Sequence, residues 1–329
     1  MGKCYLVVDC GTTNLRVTLL DENKNKLDVV KAEGGVRHTS IDGHNGRLRT
    51  MLRESMEAVL SKNGYTMADV EKCVASGMIT SALGLLEVPH VAAPAGAAQL
   101  REKMQEKVFE DIAPFPIAFI PGVRNFSGPV DLENFSGMDM MRGEEVEAVG
   151  LYKLLKPRGA AMFVLPGTHN KFVAMDANGK MLGCMTSISG EMLDAITHHT
   201  IIAEAVGHSF VNADEYDSEY AKAGARECAV SGLGRAAFAG RILSTLGGKD
   251  KAKLQSYLLG AVLALDVQAM QSFVGDQENV EAYIAGKAPL QQRFHHITEA
   301  LLQRRLAGDI RLHILLIAHE GLHRLHIQR

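Results

Sequence analysis

Residues 3–30 read KCYLVVDCGTTNLRVTLLDENKNKLDVV, and residues 161–185 read AMFVLPGTHNKFVAMDANGKMLGCM. In each stretch a short apolar run stops at a glycine-threonine turn and resumes as a second run, and a polar loop then leads into a third. The first stretch has runs at 5–8, 15–20 and 27–30, the turn Asp9-Cys10-Gly11-Thr12-Thr13-Asn14 and a loop at 21–26. The second has runs at 161–165, 172–175 and 181–185, the turn Pro166-Gly167-Thr168-His169-Asn170-Lys171 and a loop at 176–180. Apolar runs bounded by Gly, Asn and Asp spell strand, turn, strand, hairpin, strand. An offset of 156 residues lays Gly11 on Gly167, Thr12 on Thr168, Asn14 on Asn170 and Val17 on Val173. One grammar used twice predicts a duplicated βββαβα domain, with a Gly-Thr loop from each half facing a shared cleft.

The rest of the chain supplies the other elements of two such halves. Residues 47–62 carry Leu48, Leu52, Met56, Val59 and Leu60 on one helical face and end at Asn63-Gly64, a helix stop. Residues 73–75 and 117–120 read as buried strands, each running into a glycine loop, with a charged surface helix at 98–109 between them. Residues 146–155 form an apolar-periodic helix, and 280–284 a strand entering Ala285-Gly286-Lys287 before a helix at about 289–306. Lys156-Pro157-Arg158-Gly159 interrupts the pattern, so the expected domains are 1–152 and 153–329. A length of 329 residues suits that division.

Composition narrows the function classes. Apolar residues at 47% and charged residues at 22% describe a globular chain. Thirty-five basic against 38 acidic residues, no Trp and few aromatics argue against a nucleic-acid binder. The five cysteines contain no CxxC pair, which suggests neither a disulfide framework nor a Cys-rich zinc site. The apolar start stops at Asp9 and the richest apolar stretch, 258–265, stops at Asp266; both are short for a signal or membrane segment. A cytoplasmic protein is expected, with no membrane or nucleic-acid partner; a homo-oligomer is compatible with the sequence.

A turn between antiparallel strands can aim several backbone N–H groups at one anion, glycine lets a phosphate approach, and threonine adds a hydroxyl. Two such loops could grip successive phosphates of one nucleotide. Asp9 would then hold Mg²⁺ through water, an ion that prefers oxygen and keeps its hydration.

These residues also carry a resemblance. Asp9-x-Gly11-Thr12-Thr13-Asn14-x-Arg16 resembles the first phosphate motif of the actin and sugar-kinase superfamily, and Gly167-Thr168 its second. Met141-Arg142-Gly143-Glu144-Glu145, Leu165-Pro166-Gly167-Thr168-His169-Asn170-Lys171 and Ser189-Gly190-Glu191, in that order, resemble the 2-dehydro-3-deoxygalactonokinases over nearly the whole chain. Ser76-Gly77-Met78-Ile79 and Pro121-Gly122-Val123-Arg124 support it. Cys10 and Phe172 stand where that family often has Trp.

The resemblance implies an α/β fold of two duplicated actin-like (ribonuclease H-like) domains with a nucleotide cleft, using ATP and Mg²⁺. It implies phosphorylation of the terminal hydroxyl of a six-carbon 2-keto-3-deoxy sugar acid. Another sugar acid, a polyol or an ATP-gated binding module are the alternatives. It implies nucleotide contacts at Asp9, Gly11, Thr12, Thr13, Asn14, Gly167, Thr168, Lys171 and Gly286, with Asp9 as the metal residue. The base is expected at Glu144, with Asp139 second; carboxylates at a helix start are also simply favoured by the helix dipole. Arg16, Arg124 and Arg142 are the candidates for the substrate carboxylate, since guanidinium pairs with it bidentately. Met78, Gly190 and Glu191 complete the expected sugar side.

Three other patterns carry less. His319-Glu320-Gly321-Leu322-His323 matches the zinc-peptidase HExxH, but Gly321 weakens the helix and little chain remains for a third ligand. Gly232-x-Gly234-x-x-Ala237 follows no strand and reads as glycine at a helix start. The pairs His198-His199 and His295-His296 lie on helices, where neighbours do not face one another.

Overall fold

Thr12 and Thr13 cap a hairpin of strands β1 (Cys4–Cys10) and β2 (Asn14–Leu20), antiparallel with Val8 opposite Val17. The structure is a computed structural model and describes residues 2–274, 280–285, 293, 296–298, 301 and 310–314. The chain divides into two compact units. The first runs to Lys156 and includes Met175–Cys184; the second comprises Pro157–Ala174 and the described chain from Met185 on.

In the first unit β3 (Lys26–Glu33) follows antiparallel on β2. The chain passes through α1 (Arg37–Asp42) and α2 (Gly46–Lys62) and returns as β4 (Val70–Gly77), parallel to β1. After β5 (Val91–Ala92) and α3 (Ala97–Glu102) come β6 (Gln105–Phe109), β7 (Ala113–Phe119), β8 (Val123–Arg124) and β9 (Met140–Met141), then α4 (Glu144–Leu155). The main sheet has the order β3-β2-β1-β4-β7-β6, and β5, β8 and β9 make a small separate sheet. Leu48, Leu52, Met56, Val59 and Leu60 of α2 are fully buried beside Leu6, Val8, Leu15, Val17 and Leu19. Their spacing is the expected helical stripe. The Asn63 amide donates to Val59 O at 2.8 Å and Gly64 takes φ +75°, ending the helix where expected.

The stretch 98–109 departs from the expected surface helix. Only Ala97–Glu102 is helical, and Gln105–Phe109 is an edge strand antiparallel to β7. Charged residues on an edge strand discourage pairing with another chain, so the same charges that suggest a solvated helix serve an edge.

The second unit repeats the plan. Strands β10 (Ala161–Leu165), β11 (Asn170–Met175) and β12 (Met181–Ser187) begin it. Helices α5 (Ser189–His199), α6 (Ala203–Val206), α7 (Ser218–Ser231), α8 (Leu233–Thr245) and α9 (Lys251–Val274) follow, then β13 (Val280–Ile284) and β14 (Ile310–Ile314). The sheet order is β12-β11-β10-β13-β14, with β13 parallel to both β10 and β14. Numbered within each unit, both sheets begin third, second, first, fourth; one further strand follows in the second unit (β14), and β7 with the edge strand β6 in the first. That is the ribonuclease H-like arrangement, present twice as the actin-like fold requires. Gly232 stands at the start of α8, as expected.

Gly286, most of the expected helix at 289–306, His295 and the HExxH match lie outside the described residues. Among the described residues no helix is long and apolar enough to cross a membrane. No group of three metal-ligating side chains is found there either.

Candidate active site

The first loop is a closed turn. Gly11 N–H donates to Asn14 O at 2.9 Å, so the glycine amide faces inward. The segment after β3 buttresses it: Gly34 N–H donates to Thr13 O at 2.7 Å, Val36 N–H to Gly11 O and Arg37 N–H to Thr12 O. A Cβ on Gly35 would lie 2.1 Å from Gly11 O, so this position must be glycine for the buttress to close. The Thr12 and Thr13 amides make no hydrogen bond among the described residues, and both residues are exposed. Beside the loop, Arg16 Nη1 lies 3.3 Å from Asp9 Oδ2. Cys10 is fully buried in the core, so strand alternation turns it away from the loop that Asp9 faces.

The start of α4 packs against this loop. Gly77, at φ +87°, would carry a Cβ 2.6 Å from Cys10 O, and Gly143, at φ +116°, would carry one 3.3 Å from Gly77 Cα. Close backbone packing thereby draws Glu144, Glu145 and Glu147 of the first turn toward Asp9. Glu144 accepts from Arg142 N–H at 3.2 Å. Glu145 is fully buried; its Oε2 accepts from Gly143 N–H at 2.7 Å while Oε1 has no hydrogen-bond partner among the described residues. Burial, then the Glu144 charge, pushes the Glu145 carboxyl up to about 8. Glu147, half-buried, is pushed up to about 7 by burial and by the Glu144 and Asp9 charges, with Arg16 opposing. Neither Glu145 nor Glu147 was among the expected site residues. Three glutamates within one helical turn read as helix-start chemistry, and only the fold reveals which are buried.

The basic residues cluster at the small sheet β5-β8-β9: Arg124 ends β8, Arg142 follows β9 and His90 precedes β5. Arg142 donates through Nη1 to Thr80 O and Thr80 Oγ1, both at 2.5 Å, and through Nη2 to Val88 O at 3.0 Å. The same Nη2 lies 3.2 Å from His90 Nδ1. Burial, then the Arg142 and Arg124 charges, brings the His90 ring down to about 4, so the ring is neutral at pH 7. Arg124 Nε is buried and has no hydrogen-bond partner among the described residues. Asn125 N–H donates to Asp139 O at 2.9 Å, which sets Asp139 in the same region. Met78 is partly buried against the core of the first unit.

The second loop repeats the first with a different fastening. Gly167 N–H donates to the side chain of Asn170, Oδ1 at 2.7 Å. The Thr168 and His169 amides make no hydrogen bond among the described residues. Gly190, expected on the sugar side, lies against this loop, where its Cβ would stand 2.5 Å from Thr168 O. Glu191 Oε1 is 2.6 Å from His169 Nε2. Lys171 is buried, and its Nζ donates to Thr186 Oγ1 at 2.5 Å. Phe172, like Cys10, is fully buried in a core.

A cavity of about 670 Å³ opens beside the second loop, a size ordinary for small-molecule sites. Gly167, Thr168 and Gly190 stand at one side; Val206, Phe210, Leu258, Leu259, Val262 and Leu263 give apolar walls, with Arg293 also lining it.

Three kinds of comparison identify the family of the chain. The model of the 2-keto-3-deoxy-galactonokinase family matches residues 9–313. A 2-dehydro-3-deoxygalactonokinase of Escherichia coli (strain K12) is 24% identical over 302 residues, covering 92% of this chain and 91% of that one. A relative from Rhizobium meliloti (strain 1021) with the same activity in its name is 27% identical over 216 residues, 62% of this chain and 60% of that one. A crystal structure from Sinorhizobium meliloti, also bearing that name, matches the fold with a TM-score of 0.72 at 21% identity, over 97% of this chain and 96% of that one. Matched from Asp9 through both Gly-Thr loops to β14, the chain belongs to the 2-keto-3-deoxy-galactonokinase family and is a sugar-acid kinase.

Proposed function

We propose that this kinase transfers the γ-phosphoryl group of ATP to the terminal hydroxyl of 2-dehydro-3-deoxygalactonate, giving the 6-phospho sugar acid and ADP. The observation that carries the reading is the shared construction of the two loops. Each turns its glycine amide inward and leaves two successive amides open beside a threonine hydroxyl. Such a donor set suits phosphate oxygens. Thr12, Thr13 and Asn14, with Gly11 shaping the turn, are the proposed phosphate contacts of the first unit, and Thr168, shaped by Gly167, that of the second. Lys171, already bonded to Thr186, supports the second loop from below. The apolar cavity beside that loop is the proposed place of the nucleoside.

Asp9 fits a hydrated hard cation: an oxygen donor at a strand end, with about two-fifths of its side chain exposed. Mg²⁺ held there through water would neutralise charge on the phosphates. In the transfer, the substrate oxygen bonds to the γ-phosphorus as the bridging bond to the β-phosphate breaks, and the hydroxyl proton passes to a carboxylate. Glu144 is the proposed acceptor of that proton, and Asp139 the second candidate. Arg124, whose Nε has no hydrogen-bond partner among the described residues, is the proposed contact of the substrate carboxylate. Arg142 spans Thr80 and Val88 and so holds the loop that bears Met78. Arg16 balances Asp9. Gly190 and Glu191 shape the second loop from the start of α5. The five free, buried cysteines fit a reducing cytoplasm.

A coupled ADP-release assay over a panel of 2-keto-3-deoxy acids tests the acceptor. Turnover of none of them, beside good turnover of a polyol or another sugar acid, rejects it. Glu144→Ala should lower kcat by about 10²- to 10⁴-fold, and an unchanged kcat would move the base to Asp139.

A further inference from the structure

The two loops are fastened differently, and the difference leads to α9. The Gly11 amide meets a main-chain carbonyl, whereas the Gly167 amide depends on the side-chain oxygen of Asn170. A carboxamide rotated by half a turn would present its NH₂ to that amide, losing the bond and setting donor against donor. Something must fix its orientation.

Asn170 Nδ2 donates to Asp266 Oδ2 at 2.6 Å and lies 3.2 Å from Ser189 Oγ. Ser189 Oγ in turn donates to Asp266 Oδ1 at 2.5 Å, and Ser187 Oγ lies 2.7 Å from Ser189 Oγ. Asn170, Ser189 and Asp266 are 3%, 1% and 0% exposed. An ionised carboxylate only accepts, so it admits the NH₂ face of Asn170 and rejects the oxygen face. Asp266 sits on α9 between Ala264 and Val267, both fully buried. A buried carboxylate among neutral partners carries a desolvation cost that an apolar residue would avoid. Burial accordingly pushes its carboxyl up, with Ser187, Ser189 and Asn170 drawing it back.

The geometry points to Asp266 as a positioning residue for the second loop: by fixing the Asn170 amide it keeps Gly167 turned inward and the Thr168 and His169 amides open. Its helix also supplies Leu258, Leu259, Val262 and Leu263 to the cavity wall, so one element sets both the loop and the cavity beside it. The inference rests on the reading of the second loop as a contact for ATP.

The test compares Asp266→Leu, Asp266→Asn and Thr168→Ala by steady-state kinetics with each substrate varied. Asp266→Leu removes both acceptors while keeping the branching at Cγ, in a bulkier side chain, and should raise the KM for ATP about tenfold or more, with the KM for the sugar acid unchanged. Asp266→Asn keeps one acceptor and should raise it about threefold. A merely structural residue would lower the active fraction, reducing kcat with both KM values unmoved; that pattern overturns the proposal. Should Asp266→Leu not fold, Asp266→Asn carries the test, and an unchanged ATP KM there overturns it. If Thr168→Ala weakens ATP while neither Asp266 variant does, only the positioning role fails. If Thr168→Ala has no effect on ATP, the phosphate reading of the loop fails and the proposal with it.

Discussion

Replacing Glu145 by Gln should make the protein more stable in mild alkali. The Glu145 carboxyl, fully buried with one oxygen unpartnered among the described residues, is raised from 4.5 to about 8. At about 1.36 kcal/mol per pH unit, that gap is worth roughly 5 kcal/mol. The sign follows from proton binding. Between about pH 4.5 and 8 the unfolded chain has released this proton while the folded chain keeps it, so folding stability falls as pH rises through that window. Glutamine mimics the neutral acid and keeps an oxygen for Gly143 N–H. Its stability should match that of the parent near pH 4 and exceed it by several kcal/mol near pH 8.5, on the order of 1 M in the urea midpoint. With no Trp in the chain, urea unfolding is best followed by far-UV circular dichroism. Glu147 contributes a slope of the same sign that survives in Glu145→Gln, so the comparison rests on the difference between the two proteins. An Glu145→Gln protein whose stability falls with pH as steeply as the parent's would refute the buried, protonated state argued for α4.

Other substitutions test separate parts of the site. Gly35→Ala brings a methyl against Gly11 O and should cost about 1–3 kcal/mol of stability while raising the KM for ATP; an unchanged KM would show that the buttress does not shape the loop. Arg124→Ala should raise the KM for the sugar acid about tenfold or more and leave that for ATP alone, and equal changes in both would remove its assigned part. Met56→Ala, in the fully buried stripe of α2, should cost about 2–5 kcal/mol in a thermal or urea melt without altering either KM.

The sequence carried the sheet plan because strand alternation and turn chemistry are local properties. Gly11, Thr12 and Asn14 announce a turn wherever they stand between apolar runs, and their repetition at Gly167, Thr168 and Asn170 announces it again. The edge strand Gln105–Phe109 was not legible, since its charges are equally at home on a helix and only the neighbour β7 decides between them. Burial of Glu145 was hidden for a similar reason: it depends on Gly143 packing against Gly77, 66 positions away in the chain. Asp266 looked like the polar end of an apolar stretch until α9 set it against Asn170. The direction of Gly190 changed too, from a sugar-side loop to the back of Thr168, because a spacing of about 20 residues says nothing about which turn a helix start will face.

The different fastening of the two Gly-Thr turns has an evolutionary consequence. A turn closed on a main-chain oxygen survives replacement of the residue that supplies it, while one closed on a side-chain amide does not. Turn closure alone therefore leaves position 14 comparatively free to change, whereas position 170 is bound to a serine and a helix carboxylate that would have to change with it. A saturation scan of both turns, scored by folding stability and not by turnover, should therefore find several tolerated residues at 14 and almost none but asparagine at 170.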